Sequence, residues 1–304
     1  MSTQPPYRID TISAYHQLAN IPKPSHPLIS VVRFEDIKPG RTEKPRSLVN
    51  NFYCIALKRN VNGPIKYGQQ PIDFAEGVMV FLAPGQVLTI TDEEVHEHTG
   101  WLLMIHPDFL WGTSLAKGIR TYEYFDYSIR EALFLSDTEE SMVVALLQQI
   151  QRDYQTPIDK FSQAILVAQL EVLLNYSNRF YQRQFITRRT INHALLDRFE
   201  ALLEAYFAGD ELIKSGLPTV GYLAQELHLS PTYLSSLLKT LTGQNAQQHI
   251  HEKLIGKAKE LLSTTRLSIS EIAYKLGFEH PQSFSKLFKT KTDSSPVAFR
   301  DSFN

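Results

Sequence analysis

Cysteine is almost absent from this chain. Cys54 is the only one, which excludes an internal disulfide and any zinc site built from several thiolates. No apolar run reaches membrane length and no hydrophobic signal opens the sequence, so a soluble cytoplasmic protein without a membrane partner is expected. A glycine-rich phosphate loop and a recognisable nucleophile motif are missing too, so no catalytic residue and no cofactor is assigned. Global charge carries no signal: 31 Lys and Arg face 32 Asp and Glu, a formal net charge of -1. Any surface for a polyanion must therefore be local.

What is present is a repeat. Val220, Leu223, Ala224 and Leu227 recur about fifty positions later as Ile269, Ile272, Ala273 and Leu276, a spacing that puts one apolar stripe on a helix. Two residues on, Leu229 matches Phe278. Pro231 and Pro281 then open a second helix, where proline's missing N–H costs nothing. Beyond them Leu234, Leu237 and Leu238 match Phe284, Leu287 and Phe288, with one extra residue in the second turn, within Gly277 to His280. Two short helices joined by so few residues pack at a steep angle as a helix-turn-helix. Ser230 is the expected N-cap of the second helix in the first copy and Gly243 its stop.

Between the copies, residues 245–263 carry Ile250, Leu254, Ile255, Ala258, Leu261 and Leu262 at helical spacing. This linker helix should be about 28 Å long, close to the roughly 34 Å between successive major-groove openings on one face of B-DNA. From Ser230 to Arg300 the basic residues Lys239, Lys253, Lys257, Lys259, Arg266, Lys275, Lys286, Lys289, Lys291 and Arg300 outnumber Glu252, Glu260, Glu271, Glu279 and Asp293. Such a local excess suits phosphate contacts, although ordinary solvated lysines would look the same.

The strings LAQELHLSPTYLSSLLKTLTG (223–243), AKELLSTTRLSISEIAYKLGF (258–278) and FSKLFKTKTDSSPVAFR (284–300), ending in Pro296 and the pair Phe299–Arg300, resemble the AraC/XylS family of bacterial transcription regulators. The resemblance spans about Thr219 to Phe303. It implies a DNA-binding domain whose contacts lie on the exposed face of each second helix: Thr232, Ser235, Ser236 and Lys239 in the first unit, and Gln282, Ser283, Ser285, Lys286 and Lys289 in the second. Gln282 can pair bidentately with adenine and Lys286 can donate to guanine, whereas the first unit offers mostly hydroxyls. The second head is thus expected to discriminate bases and the first to position on phosphate.

The N-terminal part has another grammar. Short β-rich runs, Leu28 to Phe34, Val49 to Leu57, Val78 to Leu82, Val87 to Ile90 and Trp101 to Ile105, are separated by Pro39–Gly40, Asn62–Gly63–Pro64, Ala83–Pro84–Gly85 and Thr99–Gly100. This rhythm predicts a small antiparallel barrel or jelly roll. The resemblance implies a cupin-like barrel that senses a small molecule or dimerises. Phe52, Tyr53, Phe74 and Phe81 line its pocket or fill its core. Ser136 and Glu139 form a capping box before Met142, Val143, Leu146 and Ile150. A second helix from Asp159 to about Tyr181, striped by Ile165, Leu166, Leu173 and Tyr176, completes a helical hairpin that dimerises or packs on the barrel. Gln182 to Thr190 reads as a basic linker, and His193 to Phe207 as the helix opening the DNA-binding domain or propping it.

The fold class expected is an α+β multidomain chain: a cupin-like β-rich domain over 1–135, a dimerising helical hairpin over 136–182, a linker over 183–190 and an all-α domain over 191–304. The last holds helix-turn-helix units at about 219–242 and 268–290. The function expected is a non-enzymatic, sequence-specific transcriptional regulator controlled by a small-molecule effector. Its partners would be double-stranded DNA, a second copy in a homodimer, and RNA polymerase if it activates. Two alternatives stand beside it. His96 and His98, followed by His106, fit a metal-dependent cupin enzyme fused to a DNA-binding domain, although their acidic surroundings read as an exposed hairpin tip and no metal is assigned. A ligand-independent dimeric regulator is the other.

Overall fold

The computed structural model describes residues 6–37, 47–59, 66–67, 70–71, 77–89 and 99–303. The chain divides into two compact units, Met1–Gln184 and Phe185–Asn304.

In the first unit the strands are β1 (Tyr7–Ile9), β2 (Ile29–Arg33), β3 (Ser47–Asn50), β4 (Tyr53–Arg59), β5 (Lys66–Tyr67), β6 (Gln70–Pro71), β7 (Val78–Leu82), β8 (Val87–Thr89), β9 (Thr99–Ile105) and β10 (Leu133–Phe134). A five-stranded sheet runs in the order β10-β7-β4-β9-β2, a three-stranded one β1-β3-β8, and β5 pairs with β6. All pairings are antiparallel except β1 with β3. No closed barrel forms among the described residues.

β4 and β9 are apolar on both faces, and from Cys54 to Leu57 and from Gly100 to Ile105 every residue is buried, as suits central strands covered on both sides. The expected strand from Val49 to Leu57 is two strands broken at Asn51 and Phe52. Thr99–Gly100, expected as a turn, opens β9 instead: Gly100 has φ 125°, and a Cβ there would lie 2.0 Å from the Leu57 carbonyl oxygen. Only glycine permits that approach. Phe52 and Phe81 are core residues, Tyr53 is half-buried, and Phe74 lies outside the described residues. Burial pushes the Cys54 thiol up to about 12, so it stays a neutral filler.

Helix α1 (Ile12–Leu18) and the turn α2 (Leu115–Gly118) are short. Helix α3 (Asp137–Gln155) starts in the Ser136–Glu139 capping box and packs on β2. Its buried stripe is Val143, Leu147, Ile150 and Tyr154. Met142, expected in that stripe, is exposed, because the sheet selects a face rotated by one residue. Helix α4 (Ser162–Thr187) buries Leu166, Leu170, Leu173 and Leu174. Near its end Gln184 acts as an edge partner for β10, accepting from the Phe134 N–H at 2.8 Å and donating to the Ala132 carbonyl at 3.2 Å. That satisfies a buried amide which would otherwise be costly. The segment expected as a linker is helical through Thr187, and α5 (Arg189–Ala208) begins two residues later.

The second unit continues with α6 (Glu211–Ser215), α7 (Val220–Glu226), α8 (Pro231–Thr242), α9 (Ala246–Thr264), α10 (Ile269–Lys275), α11 (Pro281–Thr292) and α12 (Pro296–Asp301). One core joins them: Leu223, Ala224, Leu234 and Leu238 from the first copy, Ile272, Ala273, Phe284 and Phe288 from the second, and Ile250, Leu254 and Leu262 from α9. Each large side chain buried there contributes about 1.5–3 kcal/mol. Among the described residues no helix is long and apolar enough to cross a membrane.

Candidate nucleic-acid interface

The two copies close their turns alike. After α7, His228 takes φ 60° and Leu229 N–H donates to the Ala224 carbonyl at 2.9 Å; after α10, Gly277 takes φ 80° and Phe278 N–H donates to the Ala273 carbonyl at 3.0 Å. These bonds satisfy carbonyls at each helix end and drive the next apolar residue back into the core. The extra residue of the second turn changes the following cap. Ser230 Oγ accepts from the Tyr233 N–H at 3.3 Å, whereas His280 makes no side-chain cap.

The repeat also runs further than its apolar pattern. Thr242 and Thr292 donate to the Leu238 and Phe288 carbonyls, each at 2.8 Å. The second helices end in left-handed residues, Gly243 and Asp293. Asn245 and Ser295 then cap a third helix, α9 in one copy and α12 in the other. Arg300 Nε donates to the Leu262 carbonyl at 3.4 Å, and Lys259 lies over the Phe299 ring. The Phe299–Arg300 pair thus ties α12 to α9.

On α11, Gln282, Ser283, Lys286 and Lys289 are exposed and Ser285 partly so, opposite the buried Phe284 and Phe288. Spacings of four and three residues bring Gln282, Lys286 and Lys289 onto one face. On α8, Lys239 is exposed and Thr232 and Ser235 are partly buried, but Ser236 is 8 % exposed. Ser236 therefore does not share the exposed face on which the resemblance placed it; Tyr233 and Leu237 on the same helix are buried as well.

Lys239, Lys286 and Lys289 enter no ion pair among the described residues, so their charges remain open to an anion. The basic residues of α9 differ: Lys253 pairs with Glu204, and Lys257 with Glu260 at 3.0 Å. Burial first, and then the Lys291 charge, hold the His251 imidazole below its usual range, so it adds nothing to the positive surface at neutral pH. The local basic excess is thus concentrated on the second helices, and α9, 19 residues and about 28 Å long, separates them.

Of the histidines of the enzyme alternative, His106 lies among the described residues. His96 and His98 lie outside the described residues. His106 caps the following turn, its Nδ1 accepting from the Asp108 N–H at 3.3 Å. Among the described residues no group of three or more His, Cys, Asp or Glu side chains is placed to hold a metal ion.

Sequence reasoning missed Phe185 and Asn192. Phe185, inside the presumed linker, is fully buried and meets Tyr233 of α8 edge to face, with ring centroids 5.2 Å apart. An aromatic residue inside a basic run was the available signal.

A helix-turn-helix domain family matches residues 223–302. Histidine kinase P4 of Formosa agariphila is 28% identical over 137 residues, 44% of this chain and 10% of that protein. The arabinose operon regulatory protein of Escherichia coli is 32% identical over 123 residues, 36% of this chain and 42% of that protein. The chain therefore spans less than half the length of either. The HTH-type transcriptional activator RhaS of Salmonella paratyphi B matches more broadly, at 32% identity over 261 residues, 83% of this chain and 86% of that protein. With both helix-turn-helix copies in place and a match that extends through the N-terminal half, the chain belongs to the AraC/RhaS family of transcriptional regulators.

Proposed function

We propose that this protein regulates transcription by binding double-stranded DNA, with α8 and α11 entering successive major-groove segments of one site. The observation that carries the reading is the pair of matched second helices with open lysines, set apart by α9. Gln282 and Lys286 would read adenine and guanine edges, and Lys239 and Lys289 phosphates, with Thr232, Ser235, Ser283 and Ser285 supporting them. Ser236 keeps no base contact in this proposal.

Selection from randomised DNA, followed by footprinting at several salt concentrations, tests it. The expected result is a two-part site whose binding weakens steeply with salt. Lys286→Ala should lower affinity about tenfold and relax preference at one position, while Ser236→Ala leaves preference unchanged. Binding without sequence preference would overturn the reading.

The N-terminal unit is proposed as a cupin-like sensor and not as an enzyme, since the relative matched along most of both chains is named a transcriptional activator. Supporting an effector is a cleft of about 450 Å³ whose walls include Tyr53, Ile119, Tyr122 and Phe125, with Arg120 and Asp126 beside them. Such a size suits a small molecule, and a true effector would raise the unfolding temperature by mass action. The division into a sensor over 1–135, a hairpin over 136–182 and a DNA-binding part over 191–304 is retained as part of this proposal, with dimerisation through the hairpin and contact with RNA polymerase if the protein activates.

A further inference from the structure

α8 is walled on two sides. Leu234 and Leu238 join the core, while Tyr233, Ser236 and Leu237 form a second buried flank. Their counterparts on α11 are Ser283 and Lys286, both exposed, and Leu287, partly buried. The two reading helices are therefore held differently although their scaffolds repeat.

Phe185 meets this flank, its ring 5.2 Å from that of Tyr233 between centroids and inclined at 70°. Such pairs depend on orientation, so moving one ring re-aims the other. Phe185 is itself fixed: its carbonyl accepts from Asn192 Nδ2 at 2.7 Å, and Asn192 is fully buried in the first turn of α5. Phe185 stands in the last turn of α4, a helix of 26 residues. The last turn of α4 thus bears on one rim of α8. Among the described residues no ring is placed against Ser283 or Lys286 in this way, and both lie open to solvent.

We infer that Phe185 is a positioning residue for the first reading helix, so that the end of α4 sets the pose of α8 and leaves α11 unaffected. The inference rests on α8 contacting DNA. The hydrogen bonds that Lys239, Thr232 and Ser235 would make to DNA demand geometry good to a few tenths of an ångström, so a small re-aiming of α8 removes contacts without unfolding it.

The test uses the full chain on its selected site. Lys286→Ala identifies the half-site read by α11. Phe185→Ala is expected to lose about tenfold in affinity, roughly the worth of one hydrogen bond to a charged group, with protection lost over the other half-site and kept over that of α11. Phe185→Leu should restore most of it. Uniform weakening at both half-sites, or an unchanged footprint, would overturn the inference. If thermal unfolding shows that Phe185→Ala does not fold, Asn192→Ala is read by the same half-site criterion. A wild-type chain with no two-part footprint would overturn the reading of α8 itself, and the inference with it.

Discussion

His228 and Gly277 hold the same point of the two turns, at φ 60° and 80°. A left-handed conformation costs a residue with a Cβ roughly 1–2 kcal/mol, and the first turn bears that cost at His228. The second turn cannot. A Cβ on Gly277 would come within 2.5 Å of the Leu212 carbonyl oxygen and 2.9 Å of Gly216 Cα, both backbone atoms. Gly277→Ala should therefore lose well over about 1 kcal/mol of stability in urea unfolding, and His228→Gly should be neutral or stabilising by up to about 1 kcal/mol. Equal losses from the two substitutions would contradict this account. Ser236 and Lys286 add a second lesson at this scale: equivalent positions in the repeat, one covered and one open, with nothing in the local sequence to set them apart.

At the scale of elements, α9 is the part that converts two heads into one reader. Its buried stripe, Ile250, Leu254, Ala258 and Leu262, locks it into the core, so the spacing of the heads is fixed. Separating the two half-sites by about five extra base pairs puts them on opposite faces of the duplex; affinity should then fall to that of a single head. Unchanged affinity would mean that the heads move independently. Much of this domain was legible in the sequence, because caps and prolines are local signals: Ser230, Pro231, Gly243 and Pro281 act where they stand. The third helix of the repeat was not, since Ala246 and Pro296 share a position but no chemistry. Nor was the buried face of α3, where Leu147 replaces Met142, because a helical period gives a stripe and only the opposing sheet chooses its rotation. Among the reading residues, Lys286, Lys289 and Lys239 were legible as exposed, and the burial of Ser236 was not, since a hydroxyl is indifferent to which side of a helix it lies on.

For the whole molecule, α4 matters twice. Its outer face leaves Ile165 and Val172 exposed at 48% and 42%, about two turns apart, and Phe161, just before its first residue, is 58% exposed, an apolar strip that suits packing against a second copy. The full chain should sediment as a dimer at micromolar concentration and Ile165→Glu as a monomer that still binds a single two-part site. A monomeric wild-type chain would remove dimerisation from the proposal. The covered flank of α8 has a longer consequence. Substitutions at Ser283 or Lys286 change what α11 meets without disturbing any packing, whereas changes at Tyr233 or Ser236 must also pass a folding test. Under selection for new target sites, the second head is the one free to explore, and the first is the anchor around which specificity drifts.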